Sequence, residues 1–166
     1  MGHEYHEYSW KLVDHPCTFA SYRIRTNLAL MNEAFLQLIL GVVLGGLIGL
    51  EREFKKKGAG IQTYSLVCLG SCLFSLIAFS LGNLKILDPS PILMAIAVGM
   101  GFIGAGAIFK GETQIFGLTT AAGLWTTAAI GLAVGAKFYS LAIFSTILVL
   151  IIFYFFGFLE EKILKK

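Results

Sequence analysis

Few side chains in this sequence can do chemistry, and most of them sit where apolar runs begin or end. Glu51-Arg52-Glu53 places two carboxylates and a guanidinium directly after Gly41, Gly45 and Gly49, which recur every four residues. A charge run at a helix end is ordinarily solvated. One that continues a glycine face instead turns Glu51 into the bundle, where a carboxylate meets a cation or a neighbouring helix. Asp88-Pro89 is the second acidic candidate. Asp before Pro is an ordinary helix start, with Pro at the first helical position and the carboxylate accepting backbone donors. This cap is preferred over the alternative, contact with a cation or another helix at the membrane edge. Thr119, Thr120, Thr126 and Thr127 either bond carbonyls of their own helix or cross-link helices. Trp125 is expected to fill a gap among the surrounding glycines and alanines.

Other chemistries find little support. Cys68 and Cys72 lie four apart on one apolar helix face, where thiols pack more often than they react. Gly99-Met100-Gly101-Phe102-Ile103-Gly104 matches a dinucleotide-binding string, but that motif works between a strand and a helix in water. Here it falls inside an apolar run and reads as a packing face. His3 and His6 lack a third ligand at sensible spacing, and residues 31–166 contain no histidine. No catalytic set, resident cofactor or nucleic-acid-binding face is expected; the chain reads as non-enzymatic.

The elements that must position these residues are membrane helices. The chain is 57% hydrophobic and 14% charged, with mean hydropathy +0.79, against about 25% charged in ordinary soluble domains. Five charge-free intervals follow in order: Ala34–Leu50, Gly58–Leu84, Pro89–Phe109, Thr113–Ala136 and Phe138–Leu159. Each reaches the range of about 17–25 residues that spans a bilayer. The expected fold is all-α, a polytopic membrane protein with a bundle of five transmembrane helices over residues 31–166. Residues 1–30 carry all three histidines and no apolar periodicity. They read as an N-terminal extension, either disordered or not native, with Met31 as an alternative start.

Lysine and arginine in short loops set orientation. Arg52, Lys55, Lys56, Lys57, Lys110, Lys162, Lys165 and Lys166 fall on one side of a five-span chain, and Lys85 and Lys137 on the other. The first helix then starts outside and the C-terminus is cytoplasmic. Small residues drive helix association in lipid, so Gly41, Gly45 and Gly49, then Gly99, Gly101, Gly104 and Gly106, mark packing faces. On this count helices one, three and four form the tight centre. Helix five lies at the rim, with Phe153 to Phe156 and Phe158 as an interfacial aromatic belt.

Three stretches, in order, resemble the MgtC/SapB family: Gly49-Leu50-Glu51-Arg52-Glu53 with Lys57-Gly58-Ala59-Gly60-Ile61-Gln62-Thr63; Asp88-Pro89 with Gly99–Gly106; and Gly117–Trp125 with Ala128–Leu132. The resemblance covers about residues 34–159. It implies a prokaryotic inner-membrane protein associated with adaptation to low magnesium, and in some members with survival inside host cells. It further implies regulation of other membrane proteins, the ATP synthase among them, in preference to magnesium transport. Members usually carry arginine where Gln62, Pro91 and Phe116 stand here, and many carry a soluble domain after the fifth helix. The expected partners are the lipid bilayer and other membrane proteins or a second copy. Magnesium enters only under the alternative, a cation transporter or accessory subunit with Glu51 and Asp88 as ligand groups.

Overall fold

Apolar stretches broken by charged or glycine-containing links produce five helices: α1 Pro16–Phe54, α2 Ile61–Asn83, α3 Ser90–Gly106, α4 Leu118–Gly135 and α5 Tyr139–Ile151. A π-helical segment, Ile152–Phe156, and a last helical turn, α6 Gly157–Leu159, continue α5. Between α3 and α4 a short antiparallel hairpin pairs β1, Phe109–Lys110, with β2, Ile115–Phe116. The computed structural model describes residues 16–86, 88–112, 114–159 and 162. The histidines His3, His6 and His15 and the tail lysines Lys165 and Lys166 lie outside the described residues. The chain divides into two units, Met1–Phe35 and Leu36–Lys166. Within the first, helix begins at Pro16; the second is the bundle described below.

Among the described residues, four helical segments are long and apolar enough to cross a membrane: Met31–Phe54, Ile61–Asn83, Leu118–Gly135 and Tyr139–Leu159. Helix α3 has only 17 residues, about 25 Å at 1.5 Å per residue. The charge-free interval Pro89–Phe109 overstated it. Its last residues turn out of the helix at Ala107 and enter β1.

Helices α2 and α4 share the centre of the bundle, so the expectation of a tight centre made by α1, α3 and α4 is right for α4 and missed α2. Tyr64, Cys68, Ser71, Cys72, Ser75 and Ala78 form its buried stripe. On α1, a Cβ at Gly45 would lie 2.6 Å from the Tyr64 carbonyl, and one at Gly49 2.6 Å from the Ile61 Cα. On α4, a Cβ at Gly135 would lie 2.6 Å from the Cys72 carbonyl, and one at Gly131 would collide with the Cys68 carbonyl. Helix α2 is thus clasped by glycines from two neighbours, and its own small polar residues let both backbones approach. Ser75 Oγ donates to the Leu132 carbonyl at 3.1 Å, fastening α2 to α4. Cys68 and Cys72 are free and buried, packing groups as expected.

The glycines of α3 do something else. Gly104 meets Ala121 of α4 at ordinary contact distance, 3.6 Å. Gly99, Gly101 and Gly106 have nothing within 4 Å of a Cβ position among the described residues, so they take no part in the packing there. Phe153 is a further correction. Its ring is buried in the core, while Tyr154, Phe155, Phe156 and Phe158 are exposed as a belt requires.

Candidate functional site

Three charged residues near the end of α1, Glu51, Arg52 and Glu53, each meet a different partner. Arg52 is 4% exposed. Its Nη2 donates to Thr120 Oγ1 at 3.2 Å, and its guanidinium carbon lies 4.4 Å from the centroid of the Phe153 ring. Thr120 is in the first turn of α4, and its carbonyl accepts a bond from the Tyr64 hydroxyl at 3.3 Å. One arginine on α1 therefore joins α4 and the segment after α5, while Tyr64 brings in α2. A guanidinium can do this because it is planar, permanently charged and offers five donors.

Glu51 stands beside it. Its Oε2 is 3.9 Å from Arg52 Nη1 and its Oε1 is 2.9 Å from Lys55 Nζ. Neither distance carries hydrogen-bond geometry: both carboxylate oxygens, and Arg52 Nε, are buried with no hydrogen-bond partner. The aligned bond of Lys55 goes to the Phe153 carbonyl, at 2.7 Å. A π-helical turn widens the ladder, and Lys55 is bound to a carbonyl of that turn. Glu51 is thus a carboxylate held by charge and not by directed bonds.

Glu53 has a separate task. Its Oε2 accepts from the Ile61 N–H at 3.1 Å, capping α2 from the preceding helix. A Cβ at Gly60 would collide with that oxygen, so glycine is what admits the carboxylate. Asp88 also caps. Its Oδ1 accepts from the Ser90 N–H at 3.0 Å and the Ser90 hydroxyl at 2.9 Å, and these bonds hold its carboxyl below the usual range. This exposed turn lies at the far end of α2 from Glu53, so the structure does not bring Asp88 to Glu51.

Of the other sequence candidates, Thr120 joins the cluster and Thr119 is exposed. Thr126 and Thr127 bond the carbonyls of Ala122 and Gly123 in their own helix. Trp125 does not fill a buried gap; it is half exposed and its Nε1 donates to the Ala97 carbonyl of α3 at 3.3 Å. Sequence reasoning missed Tyr64, Lys55 and Phe153 as members of the cluster. It also missed Gln37, 2% exposed, whose Nε2 donates to the Val134 carbonyl at 2.8 Å in the last turn of α4. A glutamine inside an otherwise apolar span was the available signal, since a membrane-buried amide needs a partner.

Among the described residues, five apolar helical segments, four of them of membrane-crossing length, fastened by polar groups buried where α1 ends, define a polytopic helical membrane protein. The MgtC family matches residues 38–162, and the chain belongs to that family. It is 39% identical over 141 residues to "Putative magnesium transporter YhiD" of Escherichia coli, covering 81% of this chain and 65% of that protein. It is 44% identical over 110 residues to "Protein MgtC" of Brucella abortus, covering 65% of this chain and 44% of that protein. The chain thus spans between about half and two thirds of these relatives. No solved structure matches.

Proposed function

We propose that this chain is a non-enzymatic protein of the prokaryotic inner membrane that modulates other membrane proteins, or further copies of itself, during adaptation to low magnesium or a related stress. In this reading α3 is the fifth crossing, between Lys85 outside and Lys110 inside, with the N-terminus outside and the C-terminus cytoplasmic. The lysine and arginine bias of the loops supports that orientation. A reporter active only in the cytoplasm, fused after Lys166, should be active, and one inserted at Gly82 inactive.

The observation that carries the modulator reading is the outer face of α3. Gly99, Gly101 and Gly106 have open space where a side chain would begin, and Phe102 between them is 85% exposed. Small residues beside a large one let a second helix approach closely in lipid. By contrast, Gly45 and Gly49 of α1 and Gly131 and Gly135 of α4 are already packed against α2.

The second reading, cation transport, draws on the buried oxygens of Glu51 without directed bonds and on the name of the YhiD relative. Magnesium keeps several waters and needs one or two carboxylates. The charges of Lys55 and Arg52 beside Glu51 oppose a dication there. Purification from membranes and identification of copurifying proteins, with magnesium flux measured in liposomes, separates the two. A specific copurifying protein lost in Phe102→Ala supports modulation; protein-dependent magnesium flux that falls in Glu51→Gln overturns it.

A further inference from the structure

The hairpin between α3 and α4 is built with more care than a link requires. Its strands pair Phe109 with Phe116 and Lys110 with Ile115, and the Gly111 N–H donates to the Gln114 carbonyl at 2.8 Å to close it. The rings of Phe109 and Phe116 stack with centroids 5.4 Å apart. The Phe116 ring packs over Gly111, where a Cβ would lie 2.8 Å from it. Gly117 takes a φ of +87° to pass from β2 into α4, and a Cβ there would collide with the Ala107 carbonyl. So much local specification leaves an apolar surface outside: Ile108, Phe109, Ile115, Phe116 and Leu118 are all exposed.

Helix α3 explains why that surface is needed. Its 17 residues extend about 25 Å, some 5 Å short of a hydrocarbon core about 30 Å thick. Apolar residues of the hairpin continue directly from its C-terminal end. Non-helical backbone near membrane depth must satisfy its polar groups or stay within reach of water; the strand pairing and the Gly111 bond satisfy part of them, and the hydrated headgroup boundary serves the rest. Aromatic rings favour the boundary between headgroups and acyl chains, and a lysine beside them can extend its ammonium to phosphates.

We propose that the β1–β2 hairpin is an interfacial foot, seated in the boundary layer of the inner leaflet with Phe109 and Phe116 among the upper acyl chains and Lys110 at the lipid phosphates. The foot extends the crossing of α3, whose 17 residues lie at the lower end of the spanning range. The inference rests on α3 crossing the membrane, as proposed above.

The test uses the full chain in vesicles of phosphatidylethanolamine and phosphatidylglycerol, with Trp10 and Trp125 replaced by Phe and one tryptophan introduced. Phe109→Trp is the main probe, Leu118→Trp the second should the first fail to fold, and Lys57→Trp the water-exposed reference. Lipids brominated just below the ester should quench the hairpin tryptophan roughly threefold more than lipids brominated at the chain ends, as the boundary preference of aromatics requires. Aqueous iodide should quench it far less than the reference. Iodide quenching equal to the reference, or strongest quenching from the chain ends, would overturn the foot. Side-specific maleimide labelling of Lys85→Cys and Glu112→Cys tests the crossing alone. Labelling of both from one side would sink the crossing, and the bromolipid depth would still report whether the hairpin is interfacial.

Discussion

Arg52 and Phe153, 101 positions apart in the chain, meet with the guanidinium carbon 4.4 Å from the ring centroid. The pair ties the end of α1 to the π-helical segment after α5, with Thr120 as the third member. Removing the cation should leave Thr120 Oγ1 without its donor and Glu51 with less compensating charge. Breaking one partner of a buried charge network costs about 3–5 kcal/mol, whereas losing a desolvated cation–π contact costs about 2 kcal/mol. Arg52→Ala should therefore lower the thermal midpoint in detergent clearly more than Phe153→Leu. Equal effects would mean the arginine acts mainly through the ring.

The glycines divide into two groups with opposite expectations. Gly45→Ala and Gly131→Ala force a methyl against backbone atoms of α2, and overpacking of this kind costs about 1–3 kcal/mol. Gly99→Ala and Gly101→Ala meet open space and should leave the melting temperature unchanged or slightly raised, since alanine is the better helix former. Thermal scans of the four variants in one detergent decide this. A large loss from Gly101→Ala would show that another molecule already packs on α3.

That division shows how far the sequence could be read. Charge-free intervals located the five apolar helical segments of the bundle, because an uninterrupted apolar run is a one-dimensional signal. Which helix lies at the centre is not such a signal. Counting glycine favoured α1, α3 and α4, yet α2, with Cys68, Ser71, Cys72 and Ser75 on one face, is the element that the glycines of α1 and α4 clasp. The readable feature was periodic small side chains of any kind. The inward turn expected of Glu51 from the glycine face is present, with its side chain 13% exposed. That Arg52 would go deeper could not be read, because its partners Thr120 and Phe153 come from distant segments. Thr120 is accordingly no surface position, and a substitution there reports on the cluster rather than on a partner.

Asp88 bears on pH. Two bonds from Ser90 hold its carboxyl below the usual range. A carboxylate with a depressed folded pKa stabilises above its unfolded value, near 3.9, and loses that contribution as pH falls through the lower folded value. Asp88→Ala should thus lower the melting temperature by the same small amount at every pH above about 5, with the difference shrinking only in stronger acid. Midpoints measured across that range check it. A difference that disappears already near neutral pH would contradict the capping geometry.

Gln37 supplies the last test. Its amide reaches across from α1 to the Val134 carbonyl at 2.8 Å and, more distantly, the Gly135 carbonyl at 3.4 Å. These carbonyls lie in the last turn of α4; that of Val134 also accepts from the Lys137 N–H at 3.0 Å, and no water replaces a lost donor inside a bundle. Gln37→Leu keeps the approximate size but removes one of the two donors to the Val134 carbonyl, a loss of about 0.5–1.5 kcal/mol. Gln37→Glu, if charged, would set a carboxylate against a carbonyl and should be worse. The expected order of thermal midpoints is wild type, then leucine, then glutamate, with amide exchange at Ala136 to Phe138 faster in both variants. A leucine variant as stable as the wild type would show that the end of α4 is held without Gln37.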